Sequence, residues 1–278
     1  MLANSMWRLC LLLCLLASSL LACQVLPNVT FNGGTPAVSL TPNAPSDMST
    51  QSLNVWHPLA KGVEARSEYW KSPGDTADTV TIVRLDLRYV HISVDYNPKA
   101  PKSMSDWMLQ THALAVMNGG YFDKANRPTG LLVSDGDVVG SSYDGFGGML
   151  SVDAQGHVSL RALGQQPYDS DNERLEQATQ SSPMLILNGK RGQFKANAAS
   201  DRRSVVAVDK QGRLLLIASP GQAFSLDELA DLLLASDLSI QTALNLDGGA
   251  STGLYVNAGG KKVNIDAVTL LPIVIVIK

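Results

Sequence analysis

The chain has 278 residues, 45% of them apolar and 17% charged, enough for one large domain or two small ones around a substantial core. Its 22 Lys and Arg are mixed along the sequence with 25 Asp and Glu, for a formal charge of −3, so it lacks the basic stripe of a nucleic-acid binder. All three cysteines, Cys10, Cys14 and Cys23, lie near the start, which removes disulfides, thiolate metal sites and a cysteine nucleophile from the body of the protein.

Arg8 precedes an unbroken apolar run from Leu9 to Ala17, followed by Ser18-Ser19-Leu20-Leu21-Ala22-Cys23. This is the layout of a secretory signal, and it is too short for a comfortable membrane span. Leu20-Leu21-Ala22-Cys23 resembles the bacterial lipobox, which implies cleavage after residue 22 and a lipid-bearing, palmitate-modified Cys23. From Gln24 to Ser52 the residues are mainly Asn, Thr, Ser, Pro and Gly, the composition of a flexible tether. The expected division is a signal over 1–22, lipidated Cys23 and tether over 23–52, and one folded body over 53–278. The expected location is the bacterial cell envelope, at the outer membrane if the host is Gram-negative, since Gln24 follows the cysteine.

Within the body, Val80–Leu87 and Val90–Val94 are β-branched runs with turn-like neighbours and predict a pair of strands. Ser103 and Asp106 open a short helix with Trp107 and Met108 on its buried side. Ala113–Met117 predicts a buried strand that stops at Asn118-Gly119-Gly120. Short strands follow at Gly130–Val133 and Val138–Val139 around Asp135-Gly136-Asp137, then a glycine-rich loop over Ser141–Gly148, then strands at Gly148–Val152 and Val158–Leu160. Asp171–Thr179 is polar and compatible with a helix. Val205–Val208 pairs with Leu214–Ala218 across Asp209–Arg213. The clearest helix is Ser225–Ala235, where Ser225 and Glu228 make a capping box and Leu226, Leu229, Leu232 and Leu233 an apolar face. It leads to a strand at Ala243–Asp247, and Val268–Ile277 predicts a core strand interrupted by Pro272. The expected fold is α+β, a single domain built on a mixed, largely antiparallel sheet with a few helices.

The four histidines show no metal-ligand spacing, and the sequence contains no nucleophile elbow, phosphate loop or dinucleotide fingerprint. What recurs is an apolar strand ending in a polar residue and two glycines, at Asn118-Gly119-Gly120 and at Asp247-Gly248-Gly249. Strand alternation places Asn245 and Asp247 on one face. Two such strand ends in one sheet, with the same polarity, would line a crevice where backbone N–H groups hold an anion. Arg202-Arg203 would supply fixed charge, because a guanidinium donates two parallel hydrogen bonds to phosphate. Taken singly, each glycine pair also reads as a plain turn and each arginine as a solvated charge.

Met117-Asn118-Gly119-Gly120-Tyr121-Phe122, Gln180-Ser181-Ser182-Pro183, Arg203-Ser204-Val205-Val206-Ala207 and Leu246-Asp247-Gly248-Gly249-Ala250-Ser251 together resemble, in order, the motifs of the phosphodiester glycosidase family. Ala250, Ser204 and Ala207 depart from the family's glycine, threonine and glycine. The resemblance implies cleavage of the bond between an anomeric carbon and a phosphodiester oxygen. On that reaction Asp247 would face the anomeric carbon, as base, nucleophile or oxocarbenium stabiliser, and Arg203 with backbone donors at Gly119-Gly120 or Gly248-Gly249 would stabilise the phosphate. Asp123 would be the second carboxylate. Asn118 and Asn245 would orient sugar hydroxyls, Tyr121 would stack on the ring, and Gln180, Ser204 and Ser251 would complete the substrate site. The expected partners are a phosphorylated sugar or glycan and, through lipid, a membrane. No cofactor is expected, although calcium or magnesium would suit Asp and Asn oxygens beside a phosphate. The rival readings are a non-catalytic holder of phosphorylated glycan and a metal-assisted phosphodiesterase cutting P–O.

Overall fold

The computed structural model describes residues 46–47, 52–196 and 198–278. The expected signal, the cysteine expected to bear lipid, Cys23, and nearly all of the expected tether lie outside these residues. Among the described residues the strands form three sheets of eight, six and five strands. All pairings are antiparallel except the short one between Ser46–Asp47 and Lys261–Ile265.

The two larger sheets stack face to face with a helix on each outer side. Alternation along the strands produces this layering. Val206, Leu214, Leu216 and Leu244 of the eight-stranded sheet meet Ala115, Met117, Leu254 and Ile275 of the six-stranded sheet in one core. Their neighbours Val205, Ala207, Leu215 and Ala243 turn outward onto helix Leu226–Ala235, through Leu226, Leu229, Ala230 and Leu233. On the other side, Val116, Val274 and Val276 pack on Met104 and Trp107 of helix Met104–Thr111. Both helices start as expected. Ser103 accepts from the Asp106 amide, and Ser225 and Glu228 make a reciprocal capping box, supplying partners to otherwise orphaned first-turn donors.

Three expectations are corrected. Residues 175–181 form a strand in the middle of the five-stranded sheet, between Gly148–Asp153 and Leu132–Ser134, with no helix over 171–179. The Gln177 amide makes this possible, since it accepts from Val94 N at 2.9 Å and donates to Asp135 Oδ1 at 2.8 Å, so a polar side chain is buried with its bonds made. Second, strands Ala77–Leu85 and Ile92–Tyr96 do not pair with each other. The first lies in the eight-stranded sheet and the second at the edge of the six-stranded one. Third, only Ile273–Ile277 of the last apolar run is a strand; Val268 and Leu270 are exposed.

Candidate functional site

Strand Ala115–Asn118 belongs to the six-stranded sheet and Ile240–Asn245 to the eight-stranded one. The two glycine-rich strand ends therefore do not share a sheet; they meet where two stacked sheets end together. Asn118, 1% exposed, is the joint. Its Nδ2 donates to the Asp247 carbonyl at 2.7 Å, while Oδ1 accepts from the Ser204 hydroxyl at 2.7 Å and the Gly253 amide at 3.1 Å. The Asp247 amide donates to the Gly119 carbonyl at 3.2 Å. The amide of Asn118 is thus committed to the protein, and it positions the loop of Asp247.

The glycines are required by close approach. A Cβ at Gly120 would fall on the Gln180 carbonyl oxygen, and one at Gly119 on the Ile273 side chain. Gly249 has φ +58°, a backbone conformation that L side chains rarely adopt. The Gly119 amide already donates to Ile273 O, that of Gly120 to Thr179 Oγ1, and that of Gly248 to Asp247 Oδ1. An anion nest at Gly119-Gly120 is therefore not available, because both amides are spent inside the fold.

Around this joint the structure gathers Asp247, Arg203, Tyr121, Asn245 and Ser251. Asp247 is half-buried, and burial pushes its carboxyl above the ordinary value; bonds from Ser251 and the Gly248 amide oppose this, while the nearby charge of Asp201 adds to the rise. Arg203 is 8% exposed and donates from Nε to Phe224 O at 2.9 Å and from Nη2 to Ala199 O at 2.6 Å. Among the described residues no carboxylate makes an ion pair with it, and burial lowers its pKa. Its Nη1 lies 3.9 Å from where a Cβ on Gly248 would be. Tyr121 donates to Ser182 O at 3.0 Å and accepts from Asn245 Nδ2 at 2.8 Å. Burial first, and then the charge of Asp247, pushes the Tyr121 phenol up to about 12, with Arg203 acting in the opposite sense. The phenol is therefore neutral and lies within the fields of both ionic groups.

Ser204, fully buried, serves Asn118. Gln180, 2% exposed, holds the glycine-rich loop: Oε1 accepts from Leu131 N and Tyr143 N, and Nε2 donates to Ser142 Oγ. Both are positioning residues. Asp123 is not brought into the group. Its oxygens accept from Ala125 N, Arg127 N and Arg127 Nε at 2.8 to 3.0 Å, and this holds its pKa low. Asp209 binds Gln211 N, Arg213 N and Arg213 Nε in the same way, and Asp153 binds Gln155 N, His157 N and His157 Nδ1. Asp123 is thus one of three turn-closing aspartates. The sequence carried the signal, an Asp followed four residues later by a basic residue in all three turns.

The carboxylate that does neighbour Asp247 is Asp201. It acts on the charge of both Asp247 and Arg203, and its Oδ2 lies 3.0 Å from where a Cβ on Gly249 would be. The available signal was its place two residues before Arg203. Tyr143 was also missed; its ring stacks on Phe146 at 4.7 Å between centroids, and the charge of Asp247 reaches its phenol. Among the described residues no cluster of three or more His, Cys, Asp or Glu is placed to hold a metal.

The helix–sheet–sheet–helix sandwich thus brings a carboxylate, Asp247, an arginine, Arg203, and two tyrosines, Tyr121 and Tyr143, to one strand-end joint. The profile of the phosphodiester glycosidase family matches residues 111–274, and the chain belongs to that family. Among solved structures it is similar to the catalytic domain of zebrafish N-acetylglucosamine-1-phosphodiester alpha-N-acetylglucosaminidase, auto-inhibited by its pro-peptide, with TM-score 0.63 and 20% identity over 80% of this chain and 85% of that one. It is also similar to a hypothetical protein from Synechocystis, with TM-score 0.57 and 16% identity over 80% of this chain and 64% of that one. At these identities the likeness is one of fold. No curated protein matches the sequence significantly.

Proposed function

We propose that this protein hydrolyses the glycosidic C–O bond of sugar-1-phosphodiesters. The observation that carries the reading is the placement of a half-buried carboxylate, Asp247, and an arginine without a carboxylate ion-pair partner among the described residues, Arg203, about one neutral phenol, Tyr121. A pure phosphate holder gains nothing from a carboxylate that repels its ligand. In the proposed reaction the anomeric C–O bond breaks and its electron pair leaves on the phosphate oxygen. The oxygen of water bonds to the anomeric carbon, and its proton passes through Asp247 to solvent. The departing phosphate monoester has a second pKa of about 6, so it leaves without the strong acid that an alkoxide needs. Arg203 stabilises the charge that develops on it. Tyr121, held by Asn245 and Ser182, and Tyr143 face the sugar ring.

The glycan-holding reading and the P–O-cutting reading are the rivals. Hydrolysis in ¹⁸O-water separates the chemistries, because C–O cleavage places the label on the sugar and P–O cleavage places it on phosphate. We further propose that the chain is lipid-anchored through Cys23 in the cell envelope and acts on exopolysaccharide or cell-wall glycan. Support comes from the leader and lipobox-like residues. A Cys23→Ala chain that still fractionates with membranes and takes up labelled palmitate would overturn the anchor.

A further inference from the structure

Beyond Ser182-Pro183 the molecule opens a groove of about 700 Å³ between the glycine-rich loop and the segment 187–195. Its lining includes Lys190, Arg191 and Lys195 and not one Asp or Glu, in a chain whose acids outnumber its bases by 25 to 22. Phe146, 55% exposed, and Phe194 supply apolar faces. A second cavity of about 460 Å³ shares Pro183, Phe194 and Lys195 with it and extends toward Leu226.

The three cations are not equivalent. Arg191 is held by Asp227 and Asp231 and lies over the Phe194 ring, 5.3 Å from its centroid, so it shapes the wall. Lys190 and Lys195 make no ion pair among the described residues, and both are exposed. They are placed to take up negative charge from outside the protein. Alternating cations and aromatic faces suit a chain in which phosphates alternate with sugar rings, and the volume is within the range that accommodates a small ligand.

Two connections join the groove to the reacting site. The Ser182 carbonyl accepts from both Tyr121 OH and Asn245 Nδ2, while Ser182 itself lines the groove. Tyr143, within the field of Asp247, stacks on Phe146 at the groove's other wall. A ligand whose sugar lies at Tyr121 and Tyr143 therefore continues past Ser182 into the groove.

We infer that this groove binds the aglycone side of an extended, phosphodiester-linked glycan, so that the substrate is a polyanionic polymer and not a single sugar phosphate. The inference rests on the proposed hydrolysis for which end of the chain reacts, but the binding stands separately. The test uses the full chain carrying Asp247→Asn, titrated calorimetrically at low salt with a poly(N-acetylglucosamine 1-phosphate) oligomer and with N-acetylglucosamine 1-(methyl phosphate). The oligomer is expected to bind more tightly. Adding Lys190→Ala and Lys195→Ala should weaken oligomer binding by roughly fivefold, leave binding of the methyl ester within about twofold, and reduce the salt dependence. An oligomer that binds no tighter than the methyl ester, or lysine changes that weaken both alike, would overturn the groove. Tight, lysine-dependent binding with no turnover by the parent chain would uphold the groove and overturn the proposed hydrolysis.

Discussion

The Ser204 hydroxyl donates to Asn118 Oδ1 at 2.7 Å, joining a strand of the eight-stranded sheet to the end of a strand in the six-stranded sheet. The same Asn118 amide holds the Asp247 carbonyl and the Gly253 amide. One buried side chain therefore sets the distance between the two glycine-rich segments. Replacing it with leucine, close in volume, strands three polar partners, and each buried unsatisfied group costs about 1–3 kcal/mol. Asn118→Leu is expected to lower the unfolding free energy by roughly 3 kcal/mol or more in urea melts. A loss under about 1 kcal/mol would show that the joint is dispensable.

Arg203 uses two separate nitrogens on the carbonyls of Phe224 and Ala199, a fixed fork that a lysine ammonium does not reproduce. Arg203→Lys keeps the charge and loses its direction. Activity on a sugar-1-phosphodiester is expected to fall roughly a hundredfold, mainly in kcat, while thermal unfolding shows a folded chain. Full activity in the lysine variant would reduce the arginine to a diffuse charge.

Asp201 lies close enough to Asp247 to raise its pKa. If the ionised Asp247 carboxylate does the chemistry, the acid limb of kcat/KM follows that group. Asp201→Asn removes a negative neighbour, so the limb should move to lower pH. An unmoved limb would separate the two carboxylates functionally.

The folded-state pKa of Asp247 is raised chiefly by burial. The folded protein then binds that proton more tightly than the unfolded chain, and stability falls as pH rises from the ordinary carboxylate value of 3.8 through the raised one. Asp247→Asn escapes this loss. The variant is expected to melt higher than the parent at pH 7 and with the parent at pH 3. A lower melting temperature at pH 7 would mean that the bonds from Ser251 and Gly248 outweigh burial.

The parts of the fold that the sequence disclosed are those where local preference and tertiary need agree. Helix Leu226–Ala235 combines a capping box with one apolar face, and the hairpin at Asp209–Arg213 has both a turn and flanking strands of opposite direction. The strand Leu175–Ser181 was hidden because Glu176, Gln177 and Gln180 are polar residues that suit helices, and only Val94 and Asp135, distant in sequence, reveal why Gln177 lies inside. The glycine pairs were legible as a pair but not as a joint between two sheets. Asn118, Ser204 and Gln180 carried the right motif; their side chains turn out to bond the protein. Asp201 stands two residues before Arg203 on the strand Asp201–Asp209, and that spacing is the only local sign of its place beside Asp247. The groove at Lys190 and Lys195 depends on the packing of the segment beside Pro183, which no local pattern announces.

Cleavage of the C–O bond with Asp247 at the anomeric carbon is tested most directly by turnover of a sugar-1-phosphodiester in ¹⁸O-water by the full-length chain, beside Asp247→Asn. Free sugar carrying the label is expected, with unlabelled phosphate monoester, and this activity is expected to be lost in a folded Asp247→Asn chain. Label on the phosphate, or full activity in the variant, would contradict that chemistry.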